Sequence, residues 1–221
     1  MKRTSTEWTH VLLACGVAAG VATAWGLVLS DEIGDSTFSK GDADIVDFLP
    51  EIIHESAYLT RLVENLNYSP DGLVRTFGAH RITPAQALRF GRIEGARPRP
   101  ANQQAIANQI YGGEWGRVNL GNLHQGDGWR FRGRGVIQIT GRANYARVGD
   151  LMGQDLTVTP ELLEQPRFAL EACIHWWEDR IPDSMLGDTS WLRARVNGGT
   201  LGLAEVRRLT AIVRRQLEVE A

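Results

Sequence analysis

Cysteine is scarce in this chain: only Cys15 and Cys173 occur in 221 residues. Two cysteines are too few for a disulfide scaffold and lack the spacing of a metal site, so two unpaired thiols are expected, with no metal and no cofactor. Histidines are few: His10, His80, His124 and His175 have no ligand-like spacing, and His54 is expected to be a structural hydrogen-bonder. A fixed-period repeat and a low-complexity tract are also missing. Charge of one sign is not in excess: the formal net charge is -2, against a role in nucleic-acid binding, which usually needs a basic surplus. What is present is ordinary globular material, 43% hydrophobic and 23% charged, of a length suited to one domain with an appendage.

The appendage is the N-terminus. Val11 to Leu29 holds nineteen residues without a charge, which as a helix of about 1.5 Å per residue nearly spans a bilayer core of about 30 Å. Lys2 and Arg3 precede it and Asp31, Glu32 and Asp35 follow. That asymmetry predicts a cytoplasmic N-terminus (residues 1–10), a transmembrane signal anchor or signal peptide (11–29) and an exported remainder. Eight of the nineteen residues are Gly or Ala, which makes the span weakly hydrophobic. Three readings stay open: a retained or releasable anchor, a signal peptide cleaved after Ala22-Thr23-Ala24, and a buried helix. Residues 30–44, polar and acidic with Gly34 and Gly41, read as a linker. A globular domain is expected over 45–221, with Pro50 at a helix start.

The stretch from Gly126 to Tyr145, GDGWRFRGRGVIQITGRANY, packs four Arg, three aromatics and five Gly into twenty residues. At a strand period of two, Trp129, Phe131, Ile137 and Ile139 share one face, and Arg130, Arg132, Arg134, Gln138 and Thr140 share the other. A cleft wall is expected, with glycines that let a flat ligand approach. The arginines have two open roles, pairing with acids of the cleft or meeting carboxylates of a substrate.

Two carboxylates stand out in HESAYLTRLVENLNYSP, Glu55 and Glu64. On one continuous helix, nine residues would set them on opposite faces about 13 Å apart along the axis. Val63, Asn65, Asn67, Tyr68 and Ser69 are poor helix formers and Pro70 follows, so a break between the two is predicted, with Glu55 at a helix end and Glu64 on an extended return. The bland reading is two solvated surface glutamates.

HESAYLTRLVENLNYS, AIANQIYGGEWGRVNLGN, GDGWRFRGRGVIQITGRANY and VNGG, in that order, resemble the glycoside hydrolase family 19 enzymes, in particular their bacteriophage and bacterial endolysin branch, related to plant chitinases. The resemblance runs from about Ile45 to Arg208. It implies a mainly α, lysozyme-like fold of two lobes with a small strand-containing cleft wall. It implies inverting hydrolysis of β-1,4 bonds between N-acetylated amino sugars, and a monomer whose partner is a peptidoglycan glycan strand. Residue by residue, Glu55 matches the general acid and Glu64 the base that activates water. Thr140 matches the hydroxyl that orients that water, and Gln138, Asn144, Tyr145 and Asn197 are substrate contacts. An apolar setting for Glu55 is expected from Ile52, Ile53 and Tyr58. The N-terminal span is similar to that of signal-anchor-release endolysins, which tether to the inner membrane through it and later escape into the periplasm, so the resemblance implies an inner-membrane location followed by release to the periplasm. A chitinase and a non-catalytic glycan-binding protein are the competing functions.

Overall fold

The computed structural model describes residues 2–219. In chain order its helices are α1 (Ser5–Cys15), α2 (Ala19–Glu32), α3 (Asp42–Glu55), α4 (Pro70–Phe77), α5 (Pro84–Phe90), α6 (Gln103–Ile110), α7 (Gly113–Leu120), α8 (Asp127–Arg130), α9 (Arg142–Met152), α10 (Pro166–Arg180), α11 (Thr189–Asn197) and α12 (Leu203–Gln216). They fall into two compact units, one of Met1–Leu62, Gly135–Gln138 and Leu162–Ala221, the other of Val63–Arg134 and Ile139–Glu161.

In the first unit the N-terminal residues are structural, which corrects the expected membrane span. A capping box between Thr4 and Glu7 starts α1. Gly16, at φ 93, ends it in the left-handed region. The nineteen uncharged residues are thereby split between two helices, and no described helix is long and apolar enough to cross a membrane. Of the three readings of residues 11–29, the buried helix is the one this fold matches. Trp8, Val11, Leu12, Cys15, Ala22, Trp25 and Leu29 lie in one buried cluster with Ile45, Phe48, Leu49, Ile52 and Trp177. The Gly and Ala content has a packing reason. A Cβ on Gly26 would meet Thr9 Oγ1 at 2.3 Å and the Ser5 carbonyl at 2.7 Å, so α1 and α2 close up where that side chain is missing. Trp25 donates its indole N–H to the Leu59 carbonyl at 3.0 Å, which satisfies a polar group that burial would otherwise penalise.

The linker expectation also changes. Ile33 and Phe38 are buried, and Phe38 packs on Phe48 at 5.0 Å between ring centroids. Helix α3 already begins at Asp42, which puts Pro50 in its interior rather than at its start. Without an N–H, Pro50 cannot serve the Val46 carbonyl one turn back. Trp177 of α10 donates to Asp44 at 2.9 Å, and α12 buries Val206, Leu209 and Val213 on the amphipathic face its sequence shows.

The second unit is built from short helices with strong start signals. Ser69 caps α4 before Pro70, and Thr83 with Gln86 forms a capping box on α5 before Pro84. Leu66, Leu73, Ile82, Ala87, Ile106, Ala107 and Ile110 make its core. The expected strand wall is absent among the described residues, where only isolated antiparallel bridges occur, two of them Val63 with Arg134 and Arg134 with Ile139. Arg134 and Ile139 exchange backbone hydrogen bonds of 3.1 and 2.8 Å, and the chain between them turns instead of running straight. Gly135 at φ 78 and Gln138 at φ 56 make that turn possible. Phe131 and Ile139 are buried as the alternation requires, but Arg134 on the opposite face is buried too.

Candidate active site

In the first unit, α3 stops at Glu55 because the next residues leave helical space. Ala57, Tyr58 and Leu59 all have positive φ, at 50, 60 and 63. Three consecutive non-glycine residues in the left-handed region store strain, the kind that persists where surrounding structure over-determines it. Ser56 holds the turn: its hydroxyl donates to the Ile52 carbonyl and accepts from the Leu59 N–H at 2.9 Å. The helix break expected between the two glutamates is therefore present.

The setting of Glu55 differs from expectation. Ile52 and Ile53 face the core, and the Tyr58 hydroxyl donates to Glu205. The partly exposed Glu55 carboxylate instead accepts from Arg193 of α11. The same guanidinium donates to Glu51, one turn back on α3, and its Nε donates to the Leu201 carbonyl at 2.8 Å. Burial pushes the Glu51 carboxyl up to about 7, against the pull of Arg193. Arg193 was missed by the sequence reading. The available signal was Glu51 and Glu55 four residues apart on one helix face, beside the apolar Ile52 and Ile53, since buried carboxylates demand a cation.

Asn197, at the end of α11, is exposed, with Nδ2 3.5 Å from the Leu201 carbonyl. Gly202 follows at φ 82, and a Cβ there would meet His54 Nε2 at 2.1 Å. His54 is thus wedged against the loop after α11, a structural position beside Glu55. Gln138 belongs to the Gly135–Gln138 turn, and its Nε2 donates to the Gly135 carbonyl at 2.9 Å.

In the second unit, Glu64 is fixed by two donors. The Gly133 N–H reaches one carboxylate oxygen at 2.7 Å, and the Tyr111 hydroxyl donates to the other at 2.8 Å. The Glu64 N–H in turn donates to the Gly133 carbonyl at 3.0 Å. Burial raises the Glu64 carboxyl, opposed first by the Gly133 N–H, then by Tyr111 and by the charges of Arg132 and Arg134. Thr140 is half-buried, and its carbonyl accepts from the exposed Asn144 Nδ2 at 2.7 Å.

Tyr145 is corrected as a sugar platform: it is fully buried, and its hydroxyl donates to the Arg132 carbonyl at 2.6 Å and accepts from Arg134 at 3.1 Å. The arginines of the segment are structural as well. Arg130 donates to the carbonyls of Thr157 and Val158, Arg132 lies 3.9 Å over the Trp129 ring, and Arg134 donates to the Arg130 carbonyl at 2.7 Å. Among the described residues, no group of three His, Cys, Asp or Glu is placed to hold a metal ion. Cys15 and Cys173 are both free and buried.

No family model matches the chain. A glycosyl hydrolase family 19 domain-containing protein of Haemophilus influenzae is 34% identical over 159 residues, covering 72% of this chain and 72% of that protein. The crystal structure of chitinase C from Streptomyces griseus HUT6037 superposes with a TM-score of 0.53 over 97% of this chain and 92% of that one, at 14% identity. That likeness is one of fold. The protein is a glycoside hydrolase with a mainly helical fold. It belongs to glycosyl hydrolase family 19.

Proposed function

We propose that this glycosidase is an endolysin-type enzyme that cuts the β-1,4 bonds of bacterial peptidoglycan with inversion at the anomeric carbon. Glu55 donates its proton to the leaving glycosidic oxygen as the C–O bond breaks. Glu64 takes a proton from the water that attacks the opposite face of the sugar. Thr140 orients that water, and Gln138, Asn144 and Asn197 hydrogen-bond the N-acetyl and hydroxyl groups. The observation that carries the reading is the state of Glu64: a half-buried carboxylate held in one plane by the Gly133 N–H and the Tyr111 hydroxyl, with a raised pKa. A solvated surface glutamate has none of these features, and a carboxylate of fixed plane and raised basicity suits a general base.

The test uses purified sacculi. Wild type clears the suspension, and Glu55→Gln and Glu64→Gln do not. Mass spectrometry of the products identifies the new reducing-end sugar. Clearing of chitin with inert sacculi would move the assignment to a chitinase. An initial product with the β-anomer would overturn the two-glutamate inverting scheme.

A further inference from the structure

We propose that Tyr111, backed by Arg81, is the positioning pair that aims the Glu64 carboxylate; the inference rests on the reading of Glu64 as the base. A carboxylate that must collect a proton from one water needs a fixed plane and a free lone pair. Glu64 has one donor on each oxygen, the Gly133 N–H at 2.7 Å and the Tyr111 hydroxyl at 2.8 Å, so its plane is set while a lone pair on each oxygen stays open. The backbone donor is common to any side chain at 133. Tyr111 is the donor that the sequence chooses.

Tyr111 is itself held. It follows directly on α6, and its ring meets Phe77 edge-on with centroids 6.4 Å apart. Arg81 lies 5.4 Å from the Tyr111 ring and 3.7 Å from that of Trp115. Its Nε donates to the Ile110 carbonyl at 2.9 Å, one residue before Tyr111, so one guanidinium fastens both the backbone and the ring. One terminal nitrogen of Arg81 is buried with no hydrogen-bond partner. A buried donor without an acceptor costs stability, about 1–3 kcal/mol or more when charged. The negative charge of Glu64 acts on this guanidinium, partly offsetting the effect of its burial. Burial and the neighbouring carboxylate push the Tyr111 hydroxyl far above its ordinary range, so it keeps the proton that it donates to Glu64. The titratable and charged groups facing Glu64 are Tyr111 after α6, Arg81 before α5, Arg132 and Arg134 on the turn before Ile139, and Tyr145 on α9. The three arginines favour the ionised carboxylate; burial opposes them.

Tyr111→Phe keeps the ring and its stacking and removes only the hydroxyl. At saturating sacculi its rate should fall roughly 10- to 100-fold, the loss expected for one hydrogen bond to a charged group. The half-saturating substrate concentration should stay within about twofold, since the lost interaction serves the transition state. The acidic limb of the pH–rate profile should move to higher pH, because a donor to the ionised form is gone. Arg81→Met should move the limb the same way, and Arg81→Lys should bring it part of the way back. Melting curves by circular dichroism accompany each variant. An unmoved limb in Tyr111→Phe overturns the proposal, whether its rate is that of wild type or falls along with the melting temperature. Glu64→Gln, run beside them, separates the two levels: a Glu64→Gln enzyme with wild-type rate sinks the base assignment itself.

Discussion

Arg193 and Glu51 form an ion pair sealed inside the first unit, with 1% and 2% of their side chains exposed, and the same guanidinium reaches Glu55. Buried pairs of this kind stabilise little relative to an apolar replacement of both partners, but removing one partner strands a charge. Arg193→Met should therefore lower stability by about 3–5 kcal/mol, read from urea unfolding. Arg193→Lys should recover part of the stability and little of the activity, because a single ammonium cannot match a planar fork on two carboxylates.

Stability should also fall as pH rises through the range of Glu51. Burial raises this carboxyl from 4.5 to about 7, so the folded chain binds the proton more tightly than the unfolded chain does. Its contribution is complete below about 4.5 and disappears as pH climbs through 7. The swing attributable to Glu51 is at most about 3 kcal/mol, since each pKa unit corresponds to about 1.4 kcal/mol. Glu51→Gln keeps an acceptor for Arg193 and should flatten this part of the profile. A slope equal to that of wild type would reject the assignment.

Gly202→Ala should damage activity beyond its effect on stability. The added methyl would sit 2.1 Å from His54 Nε2, and φ 82 adds strain of about 1–2 kcal/mol for any side chain. Relief comes by moving either the loop or the imidazole, and His54 precedes Glu55. His54→Ala combined with Gly202→Ala should restore part of the lost stability, and purely additive losses would show that the two do not meet.

The N-terminal helices should be indispensable to the fold. Leu12→Ala, at a fully buried site, is expected to cost about 2–5 kcal/mol. A chain lacking residues 2–32 should fail to show a cooperative melt, since it exposes the cluster around Phe48 and Trp177. A stable truncated enzyme would restore the appendage reading.

Thr140→Val should lower the hydrolysis rate roughly tenfold or more while Thr140→Ser stays close to wild type, if a hydroxyl orients the attacking water. Equal rates in all three would remove Thr140 from the mechanism.

Much of this protein was legible in local patterns. A break between Glu55 and Glu64 was expected from the poor helix formers ahead of Pro70, although the stop itself is made earlier, at Ala57, Tyr58 and Leu59. The family was carried by motifs in order, each a local string. The strand wall was misread because a period of two describes alternation and not extension. Phe131 and Ile139 do alternate inward, yet Gly135 and Gln138 bend the chain between them.

By itself the sequence determined the helical class, the break that separates Glu55 from Glu64, and the membership in a glycosidase family, all of which depend on neighbours along the chain. Tertiary structure alone decided the rest. An uncharged run rich in Gly and Ala suits a bilayer or a protein core equally, and the choice turned on Gly26 closing against Thr9 and Trp25 finding the Leu59 carbonyl. Arg193 lies 142 residues from Glu51 and 138 from Glu55, so no local pattern names it as their counter-ion. The physical reason is common to both cases: burial of an apolar surface or of a charge is decided by the partner that covers it, and that partner comes from a distant part of the chain.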